Sequence, residues 1–197
     1  HSAWRTVSWA EDRRKVFAPV APLVDAYDPF IRAREIYAAT LDRPWMDRML
    51  AIDQETWLPG AHLRKMDRAF MAYGIETRAP FLSRDVWSIS SSLPTKQKAD
   101  AFKTKKALRD LAQNRLPLDI ARLPKRGWTP PTEQLMRERP CEAWDLLSSG
   151  LAAATTERSA IESLWRAFLQ GKSENGRLLW ALASLSMWGQ THQWSLR

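Results

Sequence analysis

The amino-acid sequence predicts a mainly α-helical fold, on three observations. Apolar residues recur at spacings of three and four along most of the chain, which sets them on one face of a 3.6-residue helix. Proline, glycine and Asp/Ser signals punctuate those runs where helices start and stop. No run alternates polar and apolar residues convincingly enough to be read as a strand, and no internal repeat is present.

Taken in order, residues 1 to about 20 mix Trp4, Val7 and Trp9 with Arg13, Arg14 and Lys15, and read as a polar helix or loop entering the domain. Asp28-Pro29-Phe30 predicts a helix start, with Asp28 as N-cap and Pro29 in the first turn. Phe30, Ala33, Tyr37 and Leu41 form its stripe. Asp42-Arg43-Pro44 predicts a second start, and Trp45, Met46, Met49, Leu50 and Ile52 an amphipathic helix to about Thr56. Leu58-Pro59-Gly60 then reads as a turn with proline opening the next helix. Leu63, Met66 and Phe70, with Met71 beside them, mark its apolar face; Arg64, Lys65 and Arg68 mark the other; Gly74 closes it in the left-handed conformation.

Ser83-Arg84-Asp85 predicts a helix lined by Val86, Trp87, Ile89, Ser90 and Leu93 and ended by Pro94. Thr95 to Ala101 reads as a Lys-rich linker, Phe102 to Arg115 as a helix, and Leu116 to Ile120 as a connector with one helical turn. Leu123 to Pro131, LPKRGWTPP, cannot be a helix interior and predicts a structured loop exposing Lys125 and Arg126. Gly150 to Thr156 reads as a linker. Ile161, Leu164, Trp165, Phe168 and Leu169 predict one amphipathic helix, and Arg177 to Trp188 a largely buried one.

Composition narrows the classes. The 197 residues, 45% hydrophobic and 26% charged, are expected to form a single folded domain over 1–197. No run approaches the ~18 apolar residues of a membrane helix, no apolar secretory segment opens the chain, and a start at His1 suggests a piece of a longer protein. The single Cys141 excludes an internal disulfide and a Cys-based zinc site, and points to the cytoplasm; three scattered His residues make no metal cluster. The net charge of +8 fits an anionic partner such as ATP or pyrophosphate, or simply basic residues spread over solvated faces or facing an acidic neighbour. No nucleic-acid motif accompanies it, so nucleic acid is not expected. The eleven Trp residues are expected to be core packing.

Two stretches carry a resemblance. Leu58, Pro59, Leu63, Lys65, Asp67, Arg68, Met71, Ala72, Ile75, Glu76, Arg78, Pro80, Phe81 and Leu82 stand in fixed register. They resemble the pattern L-P-x3-L-x-K-x-D-R-x2-M-A-x2-(L/I/V)-E-x-R-x-P-F-L-D of the synthetase domain of glutamine-dependent asparagine synthetases, a family that includes β-lactam synthetases and lasso-peptide cyclases. Ser83 replaces the final Asp, and Phe70 the usual Ser. Thr104, Lys105, Leu108 and Arg109, then Pro124, Lys125, Gly127, Trp128 and Pro131, resemble the family's later T/S-K-x2-L-(R/K)-x-A helix and R-P-K-x-G loop, with Leu111 for Ala and Leu123 for Arg.

The resemblance, clear over residues 45–197, implies the helical C-terminal part of an α/β adenine-nucleotide α-hydrolase-like synthetase domain, with the parallel-sheet half absent from this chain. It implies ATP and Mg2+ as cofactors of the parent enzyme, and a small-molecule or peptide carboxylate activated as an acyl-adenylate for attack by an amine. Asparagine formation is the default; macrolactam or β-lactam formation is the variant, and a non-catalytic helical interaction module the alternative. By resemblance Lys125 is the catalytic cation, against a plain surface lysine. Glu76 either acts on the amine or braces the site by pairing with Arg78 or Arg68. Arg78, Lys65, Arg126 and Lys105 become candidates for substrate or pyrophosphate binding; no metal ligand is assigned. The family's S-G-G-x-D-S phosphate loop, its acidic Mg2+ segment and the glutaminase nucleophile are not in this sequence. The expected partners are therefore the missing N-terminal half of the synthetase domain and a glutaminase domain, and the chain alone is expected to be inactive.

Overall fold

A computed structural model describes residues 14–100, 102–124, 127, 130–172 and 175–194. The fold is mainly helical, as expected, and among the described residues no strand forms; one isolated antiparallel bridge joins Ala99 and Thr104. Among the described residues no helix is long and apolar enough to cross a membrane. The chain divides into two compact units, Pro29–Gly127 and His1–Asp28 with Trp128–Arg197.

The second of these units holds the larger core. Its helices are α1 (Ala21–Ala26), α9 (Thr132–Glu138), α10 (Pro140–Ser148), α11 (Gly150–Thr155), α12 (Arg158–Leu169) and α13 (Gly176–Thr191). In Pro29–Gly127 run α2 (Ile31–Ala39), α3 (Trp45–Ile52), α4 (Arg64–Met71), α5 (Arg84–Ser92), α6 (Thr95–Lys98), α7 (Lys106–Gln113) and α8 (Leu118–Ala121). The helix α13 supplies Leu178, Leu179, Leu182 and Ala183 to a core completed by Met136, Leu147, Ile161, Trp165 and Phe168. The Trp144 and Trp165 rings stack at 6.2 Å and Trp165 on Phe168 at 5.5 Å, while the Arg137 guanidinium sits 3.9 Å over the Phe168 ring and donates to the Phe168 carbonyl.

The segment read as an Ala/Thr linker is the helix α11, with Leu151 and Ala152 buried. Its order comes from α13. The buried Ser186 hydroxyl accepts the Ala152 N–H at 3.0 Å and donates to the Ser149 carbonyl at 3.0 Å, satisfying a helix-start N–H that local residues leave orphaned. Gly189, three residues further on the same face, lets Leu151 approach; a Cβ there would stand 2.7 Å from Leu151 Cδ1. Gly150 enters α11 with φ 57, a conformation glycine adopts without steric cost.

Pro29–Gly127 has a smaller core, Ile36, Ala51 and Ile52. The helix expected from Asp28-Pro29 begins at Ile31 with Phe30 at the N-cap position, and it buries Ile36, while Tyr37 and Leu41 are exposed. Pro44 precedes α3 as expected. Pro59 differs from expectation, because it sits inside a helical run instead of opening one. The turn widens to π geometry over Asp53–Leu63 and passes directly into α4, with the Arg64 N–H donating to the Pro59 carbonyl five residues back. An i→i+5 turn relieves the clash of the proline ring with the carbonyl four residues earlier. The end of α4 follows the sequence. Gly74 has φ 67, the Ile75 N–H bonds the Phe70 carbonyl at 3.1 Å and the Gly74 N–H the Met71 carbonyl at 3.0 Å, a Schellman closure.

Two further expectations change. Thr95–Lys98 is a helical turn, not linker, held where the Lys98 ammonium meets Asp47 of α3 at 2.7 Å. The helix expected over 102–115 spans only Lys106–Gln113, because Asp100 organises the residues before it into a turn. The tryptophans are not uniformly core either: Trp165 is buried, but Trp45 is 68% exposed and Trp57, Trp188 and Trp194 are also exposed. Helical spacing alone does not tell a core face from an uncovered one.

Candidate functional site

Asp100 begins the construction. Its Oδ1 accepts the backbone N–H groups of Phe102 at 2.9 Å and Lys103 at 2.7 Å, and its Oδ2 accepts from Lys106 Nζ at 2.9 Å. Chiefly the Lys106 bond, and then the two amides, hold this carboxyl down at about 2. The resulting turn is closed by the Ala99–Thr104 bridge and delivers the chain to α7 through Lys105, which has φ 57. A lysine in the left-handed region is strained, and such strain clusters at functional sites. No side-chain hydrogen bond caps the start of α7, and the first N–H groups of a helix have no partner within it.

Beside this helix start lies a cavity of about 420 Å3 lined by Lys103, Thr104, Lys106, Arg109, Asp110 and Arg122 among others. Four cations and one carboxylate surround it. The whole net charge of the chain sits in the same unit: residues 29–127 carry 19 Lys and Arg against 11 Asp and Glu, and the remainder carries 11 of each. Cations converging on a helix N-terminus make an anion site. Arg109 donates from Nε to the Thr104 carbonyl at 3.2 Å and from Nη1 to the Leu123 carbonyl at 3.3 Å.

The residues named from the sequence fall as follows. Lys105 is at the strained N-cap of α7, between two cavity-lining residues. Glu76 and Arg78 meet directly, Arg78 Nη2 to Glu76 Oε2 at 2.8 Å, and both are exposed. Lys65 is exposed on α4. Lys125 and Arg126, and Trp128 of the same loop, lie outside the described residues, as do the residues up to Arg13. Sequence reasoning missed Arg122, took Lys103 and Lys106 as ordinary positions of a helix over 102–115, and passed over Asp100 because it falls in a Lys-rich run that reads as linker. The available signal was Asp100 two residues before Phe102 and six before Lys106, the spacing of a side chain that caps its own turn. Among the described residues no group of three or more His, Cys, Asp or Glu is placed to hold a metal ion. Four cations against one carboxylate give the cavity lining a positive balance.

The class of this helical chain comes from a family match. The asparagine synthase family model matches residues 3–190, and this chain belongs to that family. It is 30% identical over 155 residues to a Mycobacterium tuberculosis protein provisionally named as a glutamine-hydrolyzing asparagine synthetase, covering 78% of this chain and 24% of that protein. The Mycobacterium bovis counterpart matches with the same figures. Bacillus subtilis "Asparagine synthetase 1", glutamine-hydrolyzing, is 24% identical over 172 residues, 84% of this chain and 27% of the relative. The chain thus spans about a quarter of the length of the curated relatives it matches. No solved structure matches it.

Proposed function

We infer that this chain is part of an ATP-dependent amide-forming ligase of the asparagine synthetase type, working in the cytoplasm. The observation that carries the reading is the family match over residues 3–190, and the cationic cavity beside Lys105 supports it. ATP supplies the activation of a carboxylate as its adenylate, with Mg2+ held by the family's acidic segment, which this sequence does not contain. The chain's own residues bind the pyrophosphate that departs: Lys103, Lys106 and Arg122, with Lys105 and the helix-start amides, offset its charge, and the family resemblance adds Lys125 as the catalytic cation and Arg126 as a further pyrophosphate-binding residue. Glu76 braces Arg78 through their ion pair, which favours the structural over the catalytic role for this carboxylate. Arg78 and Lys65 remain substrate-side candidates. The phosphate loop and the remaining synthetase and glutaminase parts come from a partner polypeptide or a longer parent.

Pyrophosphate titrated into the purified chain by calorimetry tests this. The expected result is saturable binding that Lys105→Ala weakens by about tenfold, the worth of one charge-assisted contact. Binding that is absent, or that Lys105→Ala leaves intact, removes Lys105 from the site. The chain incubated with ATP, Mg2+ and aspartate is expected to release no pyrophosphate; measurable release overturns the need for a partner.

A further inference from the structure

We propose that the cleft where α10, α11 and α12 meet binds a small aryl carboxylate, its ring against Trp144 and its carboxylate on Arg158. The cleft lies in the unit of the larger core and shares no residue with the cavity beside Lys105, so it stands independently of the pyrophosphate reading. Its volume is about 180 Å3. An apolar protein cavity of about 150 Å3 holds benzene, so a single aromatic ring fits. Leu147, Thr156 and Ile161 are buried and make the floor. The Thr156 hydroxyl is already engaged, donating to the Ala152 carbonyl at 2.7 Å. The floor therefore presents hydrocarbon, which suits an apolar ligand body.

Trp144 supplies the aromatic surface. It stacks on Trp165 at 6.2 Å and Trp165 stacks on Phe168 at 5.5 Å, so the indole is held by a row of rings before any ligand arrives. A preformed wall spares the cost of ordering it on binding, and a further ring gains more than its buried area there. Arg158 supplies the charge. Among the described residues it alone of those lining the cleft is ionised, and its side chain is 78% exposed. Its Nε donates to Glu162 Oε1 at 2.9 Å, while among the described residues no bond engages Nη1 or Nη2. Glu162 also faces Arg166 Nη2 at 3.8 Å, so one carboxylate is shared by two guanidinium groups. Neither Glu157 nor Glu162 lines the cleft. An entering carboxylate therefore finds two donors of one planar fork without displacing Glu162.

The test titrates phenylacetate, phenylacetamide and acetate into the purified chain, followed by NMR at the Trp144 indole N–H and the Ala153 and Ile161 amides. Phenylacetate is expected to bind saturably with a Kd of about 0.1–1 mM, the range for a ligand of this size. Phenylacetamide, which lacks the charge, is expected to bind about tenfold more weakly, and acetate, which lacks the ring, to shift none of the three signals. Arg158→Gln is expected to bring phenylacetate down to the amide and leave the amide unchanged. Ala153→Leu, at an exposed position of α11 and with a good helix former, is expected to fill the mouth and remove both. Circular dichroism checks that each variant keeps its helices. No saturation by about 10 mM phenylacetate, equal binding of acid and amide, or binding that survives either substitution would overturn the proposal. So would shifts confined to Lys103–Arg109, which would put the acid in the cationic cavity.

Discussion

Lys105 shows how a single residue can set stability against function. Its φ of 57 costs about 1–2 kcal/mol relative to a residue free of the Cβ clash. Lys105→Gly is therefore expected to raise stability by about 0.5–1 kcal/mol, the gain reduced by the greater freedom of glycine in the unfolded chain. The same variant is expected to lose pyrophosphate affinity; urea melts and calorimetry on one preparation check both. A variant that is less stable would mean that the lysine side chain, and not the site, explains the strain. Ser186 is the opposite case, a buried hydroxyl with both its bonds made inside the fold. Ser186→Ala leaves the Ala152 N–H without that acceptor and is expected to cost about 1–3 kcal/mol in chemical denaturation.

Among elements, the turn before α7 has a built-in pH dependence. Asp100 is held at about 2 in the folded chain against 3.8 ordinarily, so its carboxylate stabilises the turn fully above the unfolded value. That contribution is lost as pH falls from about 4 towards 2. Exchange of the Phe102 and Lys103 amides is expected to accelerate across that window beyond the intrinsic pH effect. Asp100→Asn is expected to remove the excess acceleration; its persistence would place the switch on another group. This turn also explains why the helix expected over 102–115 begins only at Lys106. Helical periodicity in Leu108 and Leu111 is real, but a carboxylate that captures two backbone N–H groups outcompetes the first helical turn. In the same way, Gly150–Thr155 looked like linker because its stabilising hydroxyl and its small-residue neighbour, Ser186 and Gly189, lie 34 or more residues away. Gly189→Val is expected to push Leu151 out of place and cost about 1–3 kcal/mol, read as a fall in melting temperature.

The molecule as a whole separates into a neutral unit with a deep core and a cationic unit with a thin one. In the cationic unit α4 and α7 are strongly amphipathic, yet neither buries a residue: Met66, Phe70, Leu108 and Leu111 are all exposed. Helices without covered apolar faces open at low cost. Amide exchange in α4 is accordingly expected to be at least about tenfold faster than in α13, where seven residues are buried. Equal protection in the two helices would contradict the uneven distribution of core. Phe168→Ala, at the centre of the larger core and fully buried, is expected to cost about 3–5 kcal/mol.

The sequence by itself determined the helical class, the two family stretches, the Gly74 closure and the buried character of α13, because each rests on contacts within a few residues or on a register of residue types. Only the tertiary structure decided that Ser186 orders the start of α11, that Lys98 meets Asp47, and that Lys103, Lys106, Arg109 and Arg122 line one cavity. Those outcomes depend on which carbonyl or cation a side chain meets after the chain has turned back on itself. Local periodicity and composition are blind to that distance, since they record what a residue prefers and not what it finds.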